Sequence, residues 1–542
     1  MKSRTSSCSR AALRKDITRF CPLWALYLVG LLLVTLQSGS DDPQVVLDNL
    51  EGMSILNAVY ALVCAALLFG DLYNSRLCYA LHAMPLRRES WFFIHCRAAL
   101  LFSFVPNLIT SLLMMIPLGW DWPAALFWLA GMQLQFICFF GLAALCVFCV
   151  GNRVALVLLY GILNYLAVLV GWYIDTLYIP RLSGVVFDYQ ALYILSPLVR
   201  MCSLNSYSEL YDDLLPLPEA WEYLLAAAAV GTVLLLLALM LYRRRDLEWA
   251  GDFIVIRPLM PVACILYTLT VGTVFYLFQD IFLGSYEDIL LFIGIAVGFI
   301  TFQMLQQRTV KIFRLKTLLA GGLILTALSA SLWVTKLDPL DITRYVPPEE
   351  QVEYVEIGDG WYYGSYQVRS VYAAGLGAFT DPEDIRTIRA AHQAIIDDGT
   401  YRNSGNMPVT LCYHLSDGST LYRNYRINAE SSAGQLLKAY FSGPACIFGG
   451  QPLETLLENA RYATVDDTES TALSGEEVQS LIRAIWADCE AGTMAQQDSY
   501  HDLEEKRIYW IFLEIGGRPG LDIRIYPDAE NTIAWLAERD LL

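Results

Sequence analysis

The residues best suited to polar chemistry lie in DLYNSRLCYALHAMPLRRESWF, residues 71 to 92, where Arg76, His82, Arg87 and Arg88 surround Pro85. Guanidinium and imidazole groups bind carboxylates, phosphates or anionic headgroups, and none of these side chains suits nucleophilic attack. His392, His414 and His501 would form a metal site if folding brought them together, but nothing in their spacing asks for one, so they are read as structural or surface histidines. Cys146 and Cys149 form a C-x-x-C within an apolar run, where free cysteine acts as a small hydrophobe rather than a redox pair. The last 207 residues contain no G-x-S-x-G or H-E-x-x-H, the patterns that would mark a hydrolase or a zinc protease. No Gly-Lys dipeptide occurs anywhere, which excludes the phosphate-cradling loop of an ATPase. No catalytic, cofactor-binding or metal-binding residue is therefore assigned, and the chain is not read as an enzyme.

The elements that carry these residues are membrane spans. With 56% hydrophobic residues and 17% charged ones among 542, the chain is too apolar for an ordinary soluble protein. Crossing about 30 Å of hydrocarbon takes roughly 17 to 25 residues. Nine runs meet that length, near 21–37, 54–70, 98–118, 124–150, 154–172, 222–242, 259–278, 288–305 and 317–335. Ionisable residues touch them only at their ends, as with Arg97 and Glu222. The fold class read here is a polytopic α-helical membrane protein with a C-terminal extracytoplasmic α+β domain. Its parts are a membrane domain over 1–335 and a soluble domain over 336–542.

Orientation follows from lysine and arginine, which stay cytoplasmic near span ends. With the N-terminus inside, the segments 1–20, 71–97, 151–153, 243–257 and 306–316 carry nineteen basic residues, whereas the outer connections carry only Arg181 and Arg200. Nine crossings then place the C-terminal domain outside, with 33 acidic and 16 basic residues. That balance argues against nucleic-acid binding. The basic leader, the following apolar run and Ser38-Gly39-Ser40 also fit a cleavable signal peptide. Cys202, Cys412, Cys446 and Cys489 would lie in the oxidising exterior, where one or two disulfides are open to them.

Within 71–92, a helical wheel places Tyr73, Leu77, Ala80, Leu81 and Met84 on one face and Ser75, Cys78 and His82 opposite, with Pro85 ending the run. Such a helix lies on anionic headgroups or transmits a push from a cytoplasmic partner to the adjoining spans. Asn107, Gln133, Gln135, Asn164 and Gln303 are expected to hydrogen-bond between helices. The absence of mid-span ionisable groups weakens a secondary-carrier reading. Gly294 and Gly298, a G-x-x-x-G, are read as helix packing or a dimer contact. The outer loop 173–221 contains the apolar YQALYILSP, too short to span and read as a cap or re-entrant element.

In the last third, a helix is expected from Thr380 and Asp381 to Gly399, with Ile385, Ile388 and Ile395 on one side. A hairpin is expected over TLCYHLSDGSTLYRNYRI, turning at Asp417-Gly418. A capping box from Ser474 to Glu477 should open a second helix burying Val478, Leu481, Ile482, Ile485 and Trp486. Strands over 507–514 and 521–526 and a helix from about Asp528 complete the domain. The aromatics of GDGWYYGSYQ, residues 358 to 367, suit a buried corner or stacking on a peptide or sugar.

LYNSRLCYALHAMPLRRESWF resembles the cytoplasmic signature of ABC transporter permeases of the type-two export class in Gram-positive bacteria, where a YHSLPIKRE-like segment follows the second span. Tyr79, His82, Pro85, Arg87, Arg88 and Glu89 match it, with one extra residue between Tyr79 and His82. YRRRDLEWAGD (242–252), QQRTVKIFRLK (306–316), RYVPPEEQVEYVEIG and DIRTIRAAHQAIIDDG are similar to other stretches of that subfamily. The resemblance implies a permease that binds no cofactor itself, with ATP used by a separate ABC ATP-binding subunit. It makes Arg76, His82, Pro85, Arg87 and Arg88 the coupling loop for that subunit. It also implies a second permease subunit, as homo- or heterodimer, within the lipid bilayer. The competing reading is a membrane sensor whose outer domain binds a peptide or envelope ligand without transport.

Overall fold

A computed structural model describes all residues except 1, 36–42, 83–86, 117–121, 188–189, 205–219, 245–252, 257, 284–288, 313, 359–376, 399–406, 449–451, 466–472, 495–508, 516–520, 526, 540 and 542. Its residues form two compact units: Met1–Trp172 with Gln190–Ser329, and Tyr173–Tyr189 with Ala330–Leu542. The division by packing thus falls inside the last apolar helix, near the expected boundary after residue 335. It also assigns part of the 173–221 loop to the C-terminal unit.

The first unit is helical: α1 (Lys2–Arg19), α2 (Cys21–Thr35), α3 (Pro43–Leu68), α4 (Ser75–His82), α5 (Arg88–Met114), α6 (Trp122–Cys149), α7 (Arg153–Tyr173), α8 (Pro197–Met201), α9 (Ala220–Arg244), α10 (Leu259–Leu283), α11 (Ile289–Gln307) and α12 (Leu315–Leu337), the last ending in the second unit. Among the described residues, eight helices are long and apolar enough to cross a membrane, or nine if the bent pair α1–α2 counts as one. The chain is therefore a helical, polytopic membrane protein. The 53° bend between α1 and α2 coincides with Cys21-Pro22, because proline lacks the amide that would continue the helix and crowds the preceding turn.

Lipid tails are as apolar as leucine, so close backbone approach and hydrogen bonds hold such helices together. One close crossing joins α6 and α9 glycine to glycine. A Cβ on Gly141 would lie 2.2 Å from the Gly231 carbonyl oxygen, so no larger residue fits without separating the helices. Gly294 and Gly298 serve the same end against α10, where added Cβ atoms would come within 2.6 Å of Phe275 and 3.0 Å of Thr268. The G-x-x-x-G is thus committed to packing within the chain. Of the five polar neutrals expected to bond between helices, Asn107, Gln133 and Gln135 do so. Asn107 accepts from the Tyr27 hydroxyl at 3.2 Å and donates to Ser103 at 3.2 Å, and Gln133 also donates to Ser103, at 2.9 Å. Gln135 donates to the Leu50 carbonyl and Ser54 hydroxyl at 3.1 Å each. Asn164 bonds only within its own helix, to the Tyr160 carbonyl, and Gln303 accepts from Gln307 one turn on.

The second unit contains two four-stranded antiparallel sheets. The first uses β1 (Val352–Gly358), β2 (Gly377–Phe379), β3 (Met407–Leu415) and β4 (Thr420–Ile427) in the order β2-β1-β3-β4. The second uses β5 (Ala460–Val465), β6 (Leu473–Ser474), β7 (Tyr509–Ile515) and β8 (Leu521–Ile525) in the order β6-β5-β7-β8. Four helices, α13 (Pro382–Asp398), α14 (Ser432–Phe441), α15 (Glu476–Ala491) and α16 (Glu530–Ala537), follow β2, β4, β6 and β8. Each half therefore runs ββαββα with the same strand order, a duplication invisible in the residues themselves.

Each half has its own core. In the first, Val355, Ile357, Leu411 and Tyr413 meet Ile385, Ile388, Ile395 and Leu437. In the second, Ala463, Val465, Ile511 and Leu513 meet Val478, Leu481, Ile482 and Leu536. The β3–β4 hairpin turns at Asp417-Gly418, with Gly418 at φ 81°, where a side chain would be strained. The Ser474 capping box does not form. The residue preceding α15 is Gly475, at φ 61°, and it offers no side-chain cap because Ser474 is held in β6. None of Cys202, Cys412, Cys446 and Cys489 is in a disulfide. Cys446 and Cys489 are buried in the separate cores of the two halves.

Candidate functional site

After α3 the chain makes a 3-10 turn, Gly70–Tyr73, and enters α4. Asn74 builds the junction: its Oδ1 accepts from the amides of Arg76 at 3.0 Å and Leu77 at 3.4 Å, satisfying two donors at the start of the helix. Eight residues are too few for a stable isolated helix, so α4 depends on its anchors. The anchor is Cys78, only 2% exposed and part of the membrane-unit core. The wheel groups Cys78 with Ser75 and His82, opposite the apolar face of Leu77, yet it is Cys78 that the core encloses. Leu77 and Tyr79 are instead 48% and 52% exposed, because the neighbouring spans, rather than the helix's own polarity, decide which face turns inward.

The expected coupling residues fall around this helix. Arg76 and Arg87 are exposed, and Arg88 is half-buried at the start of α5. His82 is the last residue of α4, and Pro85 lies outside the described residues. Glu89 pairs with Arg243 at 3.2 Å, a half-exposed contact of about 0–1 kcal/mol, joining the start of α5 to the end of α9.

A buried pair missed in the sequence ties down the leader. His95 Nδ1 lies 3.0 Å from Asp16 Oδ2, and both residues are buried. Trp91 stacks on the imidazole and Phe69 meets it edge-on. The available signal was Asp16 itself, the one acidic residue in the basic leader.

Beside α4 opens a cleft of about 580 Å³ lined by Arg19, Gly70, Asp71, Leu77, Arg153 and Arg308, among others. Asn152 and Phe253 line it too, so all five segments that basic residues assign to the cytoplasm converge on one opening. The end of α6 is stitched to the fourth of these segments, since the Val255 amide donates to the Cys149 carbonyl at 2.9 Å and Val150 bridges Ile254. Three guanidiniums around one carboxylate suit an acidic or phosphorylated surface.

Near the other ends of the spans, residues 190–204 turn into the bundle. Ser54 donates to the Met201 carbonyl at 2.7 Å, the Val168 amide donates to Ser196 at 3.1 Å, and Tyr223 donates to the Ile194 carbonyl at 3.2 Å. Ser196, Arg200 and Met201 are buried. The apolar loop stretch is thus a cap packed against α3, α7 and α9.

His392 and His414 do not meet. His392 is enclosed between two tyrosines, Tyr413 at 3.0 Å from Nδ1 and Tyr425 at 2.9 Å from Nε2. Burial, then the charges of Arg423 and Arg389, pushes it down to about 3, so it is neutral and structural. His414 lies in β3 on the opposite side of that sheet, and His501 lies outside the described residues, as does most of GDGWYYGSYQ. No family model, no curated protein and no solved structure matches this chain.

Proposed function

We propose that this chain is the membrane-spanning permease subunit of an ABC export system, powered by a separate ATP-binding subunit that docks on residues 71 to 93. The observation that carries the proposal is α4. It is a short helix fixed to the bundle through Cys78, with Arg76, Leu77 and Tyr79 exposed and Leu77 bordering the cleft on which all five basic segments converge, and Arg87 is exposed just before α5. A partner pushing on such a helix moves α3 and α5 together. The same convergence supports a cytoplasmic N-terminus. Residues 173–189 pack with the C-terminal unit, Val185 bridging Arg423, and four spans, α9 to α12, lie between them in the chain. An even number of crossings returns the chain to its starting side, which supports an extracytoplasmic domain.

Changing Arg87 and Arg88 together to Glu is expected to lower partner-stimulated ATP hydrolysis at least about 10-fold, through repulsion at the docking surface, while membrane insertion is unchanged. Full stimulation by the double variant would overturn the docking site. The Val185 bridge also favours a sensor reading, because a ligand on the C-terminal unit would pull directly on the end of α7. Substrate movement in vesicles reconstituted with the ATPase separates the two.

A further inference from the structure

Glu356 in β1 and Cys412 in β3 are directly opposed in register, and His414 follows two residues on, opposite Tyr354. Because side chains alternate along a strand, these four share the face turned away from the helices, while Val355, Ile357, Leu411 and Tyr413 fill the core. His414 Nε2 lies 3.1 Å from Glu356 Oε2 and 3.4 Å from Cys412 Sγ, and the three donor atoms all fall within 4.8 Å of one another. Tyr354 stacks on the imidazole at 4.0 Å between centroids, nearly parallel, and fixes its orientation.

A relay of the Cys-His-Glu kind employs both imidazole nitrogens, one toward the thiol and the other toward the carboxylate. Here the single nitrogen Nε2 faces both. The sulfur, nitrogen and oxygen therefore converge on one point, the arrangement that a cation needs and a nucleophile does not. Tetrahedral Zn²⁺, bound at about 2.0–2.3 Å from N, O and S, holds its donors roughly 3.3–3.8 Å apart, close to the 3.1 and 3.4 Å that separate His414 Nε2 from the other two donors. Cys412 is fully buried, and the Glu356 and His414 side chains keep 17% and 21% exposure, which leaves a route for the ion.

We propose that Glu356, Cys412 and His414 form a zinc site with three protein ligands and an open fourth position. On binding, the Cys412 thiol loses its proton to solvent and His414 ligates through Nε2 with its proton on Nδ1. Mixed thiolate, imidazole and carboxylate donors favour Zn²⁺ over the all-oxygen preference of Mg²⁺ or Ca²⁺.

The test uses the full-length protein in detergent, stripped with a chelator and titrated with Zn²⁺ alone, with bound metal measured by mass spectrometry. One tight equivalent per chain is expected. Cys412→Ser, Glu356→Gln and His414→Gln should each weaken it by more than the roughly 10–100-fold that a misoriented ligand costs, while Cys489→Ser leaves it unchanged. Co²⁺ loaded into the unaltered protein should show thiolate-to-metal charge transfer and tetrahedral d–d absorption, a readout that needs no variant to fold. Absence of both bands, or a tight equivalent that survives Cys412→Ser, would overturn the site.

Discussion

In the first half of the C-terminal unit, the β1–β3 pair sets Glu356 against Cys412 and Tyr354 against His414; in the second, the β5–β7 pair sets Thr464 against Phe512 and Tyr462 against Glu514. The equivalence follows from the core, because the opposed pairs Val355–Tyr413 and Ile357–Leu411 correspond in register to Ala463–Leu513 and Val465–Ile511. The buried polar groups differ as well. The first half encloses a neutral histidine between two tyrosine hydroxyls, whereas the second encloses Asp488, which accepts from the Asn531 amide and side chain at 3.0 and 2.8 Å and from the Thr532 amide and hydroxyl at 2.7 and 2.6 Å. One topology therefore tolerates different chemistry on its free face and different polar staples inside. The apolar alternation builds the sheet, and the remaining positions are available for function.

The largest effect expected from breaking this comparison is at Asp488. Its carboxylate satisfies the start of α16, and Asp488→Ala strands those donors in a buried site, at a cost of about 3 kcal/mol or more. Hydrogen exchange should rise in peptides over α15 and α16 and stay unchanged over β1 to β4.

His392 comes next. Its ordinary value is 6.5 and its native one about 3, so between those pH values the unfolded chain binds a proton that the native chain refuses. Stability contributed by the neutral ring is present above pH 6.5 and is lost as pH falls toward 3, by at most about 1.4 kcal/mol per pH unit. Thermal unfolding of the first half should show that slope in the native sequence and a flatter one in His392→Gln. Equal slopes would place the pH sensitivity elsewhere.

The smallest effect sharpens the contrast on the free faces. Tyr354→Leu removes the ring that orients His414 and should weaken Zn²⁺ binding by roughly 10-fold. Tyr462→Leu, at the matching position of the second half, should leave it unchanged. A matching loss from both variants would mean that the tyrosines act on sheet stability rather than on the imidazole.

Much of this was legible in the residues. The nine apolar runs coincide with helices, α13 begins at Pro382 beside Thr380 and Asp381, and the Asp417-Gly418 hairpin forms as its turn chemistry dictates. The failures share a cause. A wheel that sets Cys78 opposite the apolar face and a capping box that uses Ser474 both weigh only neighbours within one turn, whereas the membrane-unit core encloses Cys78 and a strand pair holds Ser474.

What the chain determines by itself is what local energy controls: which segments cross a bilayer, where cations hold a loop to one side, and where strand alternation or helix periodicity sets one face apolar. Only the tertiary structure brings Asp16 to His95 across 79 positions, seats Gly184 and Val185 on β4, and sets Glu356 opposite Cys412 with His414 two residues on. Those meetings depend on strand register and on which helices share a core. Both are decided by burying the whole apolar surface at once, and no single segment carries that information.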